Sequence, residues 1–151
     1  MELSEIVIYF LENVEKMSSE RLERMIYLSD WHFSINHKKQ ITNINWRLSS
    51  RSLTSNDFLE FIEKESDLFD FYYENKMKII RLVRSQKNYK ILDKEIKKTL
   101  DHVVDISNKM EEWEIIRLVN STYPVISSSP YSSSLNLVNK AKEYICYNIS
   151  I

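Results

Sequence analysis

The chain has 151 residues, of which 43% are hydrophobic and 28% charged, with a formal net charge of −1. That is the content of one domain able to build a core without disulfides or metals, and the near-neutral balance excludes a chain-wide basic field that would gather nucleic acid or anionic membrane. A single cysteine, Cys146, excludes an internal disulfide, and an N-terminus interrupted by acids lacks the basic and apolar runs of a secretion signal, so the expected location is the cytoplasm.

Apolar residues at Leu3, Ile6, Val7, Phe10, Leu11 and Val14 recur at helical spacing and predict a first helix over residues 3–16. Ser18 and Ser19 are candidate N-caps of a second, running to about Asn36. Its apolar positions, among them Leu22, Met25, Ile26, Leu28, Trp31, Phe33 and Ile35, cover more than one face, which predicts a helix buried on several sides. From Lys39 to Arg51 the pattern shifts to β-tolerant residues around Ile41, Trp46 and Leu48, a short extended or hairpin segment. Thr54 to Asn56 can cap a third helix carrying Phe58, Leu59, Phe61 and Ile62.

The clearest strand signal spans Leu68–Glu74 and Met77–Arg84, joined by Asn75-Lys76 as a two-residue turn. In that register Phe69 faces Leu82, Phe71 faces Ile80 and Tyr73 faces Lys78, while Asp70 meets Arg81 and Tyr72 meets Ile79 on the other face. Lysine at positive φ is the unfavourable element of this turn. Asp93 then caps a fourth helix with Ile96, Leu100, Val103 and Val104 inward. Asn108 with Glu111 resembles a capping box opening a fifth helix, which carries Trp113, Ile116, Leu118 and Val119 and is stopped by Pro124. Residues 127–134 read as a serine-rich loop, and residues 135–150 as a C-terminal helix. The expected architecture is a single α+β domain over residues 1–151, predominantly helical. In it five to six helices pack around a central second helix, with a small antiparallel β-hairpin.

Chemistry-bearing constellations are sparse. The chain contains no glycine, which excludes the glycine-rich loops that cradle phosphates and dinucleotides. His32 and His37 are five residues apart and do not stack on one helix face as a ligand pair, and His102 has no metal-ligand spacing around it. No arginine precedes a histidine by the spacing of a HEPN-type ribonuclease. Cys146 has no histidine in local sequence and reads as a bystander thiol. The basic run Arg81, Arg84, Lys87 and Lys90 reads as a solvated hairpin end, so nucleic acid is not an expected partner. No enzymatic activity, cofactor, metal or membrane association is expected.

Two segments, Arg24 to Phe58 and Leu92 to Val125, carry a resemblance. In the first, Tyr27, Leu28 and Asp30-Trp31 end a helix, Lys38 and Lys39 make a basic turn, Ile41-Thr42 follow, and Trp46 comes four residues later. In the second, Trp113, Glu114, Ile115 and Leu118 lie on a helix after a preceding one. This pattern resembles the Panacea domain of SocA-like antitoxins and of phage-associated proteins labelled GepA, over roughly residues 3–126. The chain departs from the family pattern at Ser52-Leu53 and Ser55, where the family has a glycine-proline pair and a later proline, and at Asn120, where it has histidine. The family's closing tryptophan is also absent near Val125.

The resemblance implies an antitoxin of a toxin–antitoxin system, which neutralises a cognate toxin protein by direct binding. Its alternatives are a proteolytic adaptor that delivers a partner to a AAA+ protease, and a phage or prophage regulator of a host protein or nucleic acid. A protein-binding surface needs exposed aromatic and arginine anchors. The candidates are Trp46, Arg47 and Arg51 in the divergent loop, and Tyr72, Ile79 and Arg81 on the outer hairpin face.

Overall fold

In the computed structural model, which describes residues 1–14, 16–50, 52–65, 67–84, 91 and 93–149, the second helix organises the rest. Ser18 is extended and its hydroxyl accepts the amide of Arg21 at 3.0 Å, so helix α2 starts at Ser19 and runs to His37. It ends on Lys38, left-handed at φ 58°, whose amide donates to the carbonyl of Ser34 at 2.9 Å. Leu22, Met25, Ile26, Tyr27, Leu28, Trp31 and Phe33 are all buried, and so are Ser29, Asp30 and Ser34. Such a helix has no solvent face over its middle turns, as its sequence predicts.

Around it lie α1 (Leu3–Asn13), α4 (Lys94–Asn108), α5 (Glu112–Asn120) and α7 (Leu137–Ile149), each in contact with α2. Further out are α3 (Asn56–Lys64) and the single turn α6 (Tyr123–Ile126). The architecture is α+β and predominantly helical, with seven helices among the described residues. Leu100, Val103 and Val104 of α4 face the core, and Asp93 caps that helix by accepting the amides of Glu95 and Ile96. Trp31 and Tyr144 of α7 meet edge to face at 5.7 Å, and Tyr27 donates to Thr122, whose own hydroxyl is spent on the carbonyl of Val119.

Two small antiparallel sheets flank this bundle. The first has the order β1-β5-β4, with β1 at Met17–Ser18, β4 at Phe69–Glu74 and β5 at Met77–Leu82. Its hairpin has the predicted register, from Phe69 opposite Leu82 to Glu74 opposite Met77, and Asn75 and Lys76 both take positive φ, 51° and 66°. That pair of left-handed residues matches the strand twist in a two-residue turn even without glycine. The second sheet has the order β3-β2-β6, with β2 at Arg47–Ser49, β3 at Ser52–Thr54 and β6 at Ser132–Ser134.

Several sequence expectations are corrected. The strands of the 39–51 region begin only at Arg47, because residues 39–46 are held by side-chain bonds to α2. Asn108 does not cap α5: it closes α4, and the capping box forms three residues on, between Glu111 and Glu114. Pro124 does not stop α5, which ends at Asn120; it sits in the first turn of α6, where a missing amide is harmless. The serine-rich 127–134 segment is not all loop, since β6 pairs with β2 there. Of the apolar residues that α3 and α5 carry, Leu59 and Trp113 are each 57% exposed.

Trp31 is 7% exposed and packs between α2 and α7. Truncating it to alanine is expected to cost about 3–5 kcal/mol in urea unfolding. A loss below about 1 kcal/mol would mean that the α2–α7 contact is not core.

Candidate functional site

The buried polar centre of the molecule is the Asp30 carboxylate. It lies at 0% exposure on α2 and accepts from the amides of Ile41 and Thr42 at 3.0 and 2.9 Å, the Thr42 hydroxyl at 2.5 Å and the Trp46 indole at 2.9 Å. Gln40 adds a longer contact at 3.3 Å. Burial pushes the Asp30 carboxyl above the ordinary aspartate range, and the bonds from Thr42, Trp46 and Ile41 pull against it. A buried carboxylate with this many donors is a structural anchor: it fixes residues 40–46 against α2 and leaves no oxygen free for chemistry.

Trp46 is therefore corrected as a surface anchor. Its ring is 0% exposed, bonded to Asp30 and edge-on to Tyr27 at 5.4 Å. Its neighbour Arg47 is exposed on the outer face of β2. Arg51 lies outside the described residues. The loop therefore offers one described basic side chain and no aromatic from this group.

The hairpin face is richer. Arg81 donates twice to one oxygen of Asp70, at 2.9 and 3.1 Å, and its guanidinium lies 5.1 Å from the Tyr72 ring. Lys16 lies 6.0 Å from the same ring and bonds to Glu74 at 3.1 Å, which raises the lysine above its ordinary value. Tyr72, half-buried, thus sits in contact with two cations, each paired to an acid on β4. Ile79 is corrected: it is 6% exposed, with β1 paired alongside β5 and Ser18 directly opposite it. That two-residue strand carries too little pattern to be read from sequence.

Beside this face a cleft of about 330 Å³ separates the hairpin from the α4–α5 corner, lined by Lys16, Met77, Ile79, Ser107, Met110 and Glu112, among others. Arg21 holds its floor, donating to Ser107 Oγ at 3.0 Å, to the Ser107 and Met110 carbonyls and to Glu112 at 3.2 Å. Met77 at 38% exposure stands on one rim, and Trp113, next to Glu112, is 57% exposed with its indole bonded to Glu111 at 3.0 Å. Sequence reasoning missed Trp113 as a surface residue because its spacing on α5 is compatible with either face.

No family model, curated protein or solved structure matches the chain.

The histidines are brought closer together than their spacing suggests. His32 and His102 meet edge to face at 4.8 Å between α2 and α4, with burial and the neighbouring histidines holding His32 below its ordinary value. Their cleft, about 820 Å³, also takes in His37, Lys94, Lys97 and Asp105. Among the described residues no group of three or more His, Cys, Asp and Glu is placed to hold a metal ion, and no helix is long and apolar enough to cross a membrane. Cys146 is exposed. Of the basic run, Arg84 is exposed, and Lys87 and Lys90 lie outside the described residues.

Replacing Asp30 by alanine leaves the buried Ile41 and Thr42 amides and the Trp46 indole without their acceptor. At about 1–3 kcal/mol for each orphaned donor, a loss of at least about 3 kcal/mol is expected in chemical denaturation. A smaller loss would mean that water replaces the carboxylate.

Glu23, on the same helix, supplies a pH test. Burial pushes its carboxyl up to about 7, with Arg24 pulling down and Glu20 pushing further up. The folded chain then holds this proton more tightly than the unfolded chain. The resulting stability is fully present below pH 4.5, the ordinary value, and is lost as pH rises through 7. Glu23→Gln is expected to leave stability unchanged near pH 4 and to raise it by about 1–3 kcal/mol at pH 8. An equal effect at both pH values would show that the carboxyl does not titrate in this range.

Proposed function

We propose that this chain is a cytoplasmic antitoxin that neutralises a toxin protein by direct contact, using the hairpin face and the adjoining α4–α5 corner. The observation that carries the reading is the convergence of the resemblance-bearing residues. Asp30, Ile41, Thr42 and Trp46, scattered over the first segment, are joined in one bonded unit around one carboxylate. Their joint presence thus has a physical reason in this chain, which supports treating the resemblance as one of fold and not of chance composition.

The choice of surface rests on preorganisation. Binding energy concentrates in arginine and aromatic anchors, and an anchor already held in place loses less entropy on binding. Arg81 is 54% exposed at its side chain and fixed by Asp70, Tyr72 is flanked by Arg81 and Lys16, and Trp113 and Met77 add exposed apolar area nearby. Arg47 on the second sheet is exposed and has no aromatic neighbour in its own strand. A methionine beside aromatic groups also suits a surface that must adapt to a partner.

The test is co-expression with a toxic reading frame encoded beside this gene. A Met77→Glu, Arg81→Glu double variant is expected to lose rescue and about 30-fold or more in affinity, equivalent to at least ~2 kcal/mol, with a nearly unchanged melting curve. Arg47→Glu is expected to retain both. If Arg47→Glu abolishes rescue and the hairpin variant does not, the contact belongs to the second sheet. If toxin protein disappears in a protease-dependent way, the chain is an adaptor and not a blocking antitoxin. If no adjacent reading frame is toxic, the antitoxin reading falls.

A further inference from the structure

The phase of the β4–β5 ladder determines which backbone groups face outward. The Val83 amide donates to the Leu68 carbonyl at 3.0 Å, and the two-residue turn closes on Glu74 and Met77. In an antiparallel pair bonded rungs alternate with non-bonded ones, so Asp70–Arg81 and Tyr72–Ile79 are the bonded rungs between. Phe69, Phe71 and Tyr73 therefore direct their N–H and C=O groups away from β5. Beyond β4 the sheet has no further strand among the described residues, whereas β5 is paired on both sides.

Unprotected edges of this kind are normally blunted by proline, lysine, a bulge or short length. β4 has none of these over its six residues, FDFYYE, and its register is unbroken. Its two acids are no deterrent, because Asp70 is paired with Arg81 and Glu74 with Lys16. At its turn end Tyr73 is 75% exposed, a large aromatic with little to cover it.

The geometry points to a second copy of this chain as the occupant of that edge, added antiparallel through β4 with the two-fold axis at Phe71. In this register Phe71 faces Phe71 of the second copy, and Phe69 faces Tyr73 of the second copy. All of these residues present outward backbone groups, so the rungs bond in both directions. Asp70 falls opposite Tyr72 of the second copy, where a phenol can donate to a carboxylate. Aromatic rungs of this sort stabilise a sheet, and like charges placed opposite destabilise it. Charge selects the register: sliding by two residues one way sets Asp70 against Asp70, and the other way sets Asp70 against Glu74. The centred register avoids both and covers Tyr73. The product is one six-stranded sheet running through two molecules, built from two copies of the three-stranded sheet.

The experiment measures mass and backbone protection together, with reductant present to keep Cys146 reduced. Light scattering across a concentration series is expected to move from 18.2 kDa to twice that value. Amide exchange at Phe69, Phe71 and Tyr73 is expected to slow as concentration rises, while Tyr72 is protected throughout. Tyr73→Pro deletes an outward N–H and no rung to β5, so it is expected to stay monomeric with an unchanged melting curve; Tyr73→Phe is expected to dimerise as the parent does. A parent chain that stays monomeric into the millimolar range overturns the proposal. So does a dimer in which Phe69, Phe71 and Tyr73 still exchange freely, or in which β3 or β6 amides are protected instead. If Tyr73→Pro does not fold, the exchange pattern of the parent chain decides alone.

Discussion

The Asp30 carboxylate is the constraint on which the rest of the molecule depends. A carboxyl group at the centre of a helix bundle is tolerated only when its oxygens are satisfied by donors. The saturation comes from a segment 10–16 residues further along the chain, Gln40 to Trp46. That segment would otherwise be free to wander at the end of α2. Once it is tied down, Trp46 is placed against Tyr27, Arg47 begins β2, and β2 in turn recruits β3 and β6. The second sheet is therefore a consequence of a polar bond inside the bundle and not an independent unit. The short sequence separation of these contacts also means that little loop entropy opposes their formation.

Opposite in character is the first sheet, whose outer face is organised by charge in water. The Lys16–Glu74 and Arg81–Asp70 pairs are about half exposed and contribute little to stability. Their effect is positional: they hold two cations against Tyr72 and leave the ring half open. Arg21, bonded to Glu112 and to the carbonyls of Ser107 and Met110, fixes the α4–α5 corner beside it. The result is a mixed aromatic and basic surface, bonded in place on a small helical scaffold.

Much of this fold is legible in the sequence. Local signals are legible where the deciding groups are close in sequence: Ser18, one of two adjacent serine candidates, as the cap of α2, Asp93 as the cap of α4, and the register of the β4–β5 hairpin. Errors fall where a distant group decides. Trp46 has a polar indole edge and a basic neighbour, features shared by surface anchors, and only the carboxylate of Asp30 makes it core. Ile79 belongs by alternation to the solvent side, and β1 buries it. Asn108 and Glu111 have capping spacing, but α4 needs Asn108 as its own last residue, so the box shifts to Glu111 and Glu114. A run of serines has weak strand propensity, and β6 exists because β2 offers it a ladder.

The absence of glycine has a last consequence, in the chain's evolutionary latitude. Lys38, Ser50, Asn75 and Lys76 occupy left-handed backbone positions, at φ 58°, 50°, 51° and 66°. Glycine enters such conformations without the clash that a β-carbon brings, at a saving of about 1–2 kcal/mol for residues other than asparagine. The fold thus holds a reserve of stability at Lys38, Ser50 and Lys76 that single substitutions could release. A chain with that reserve unspent can later absorb destabilising changes elsewhere on its surface, one turn at a time.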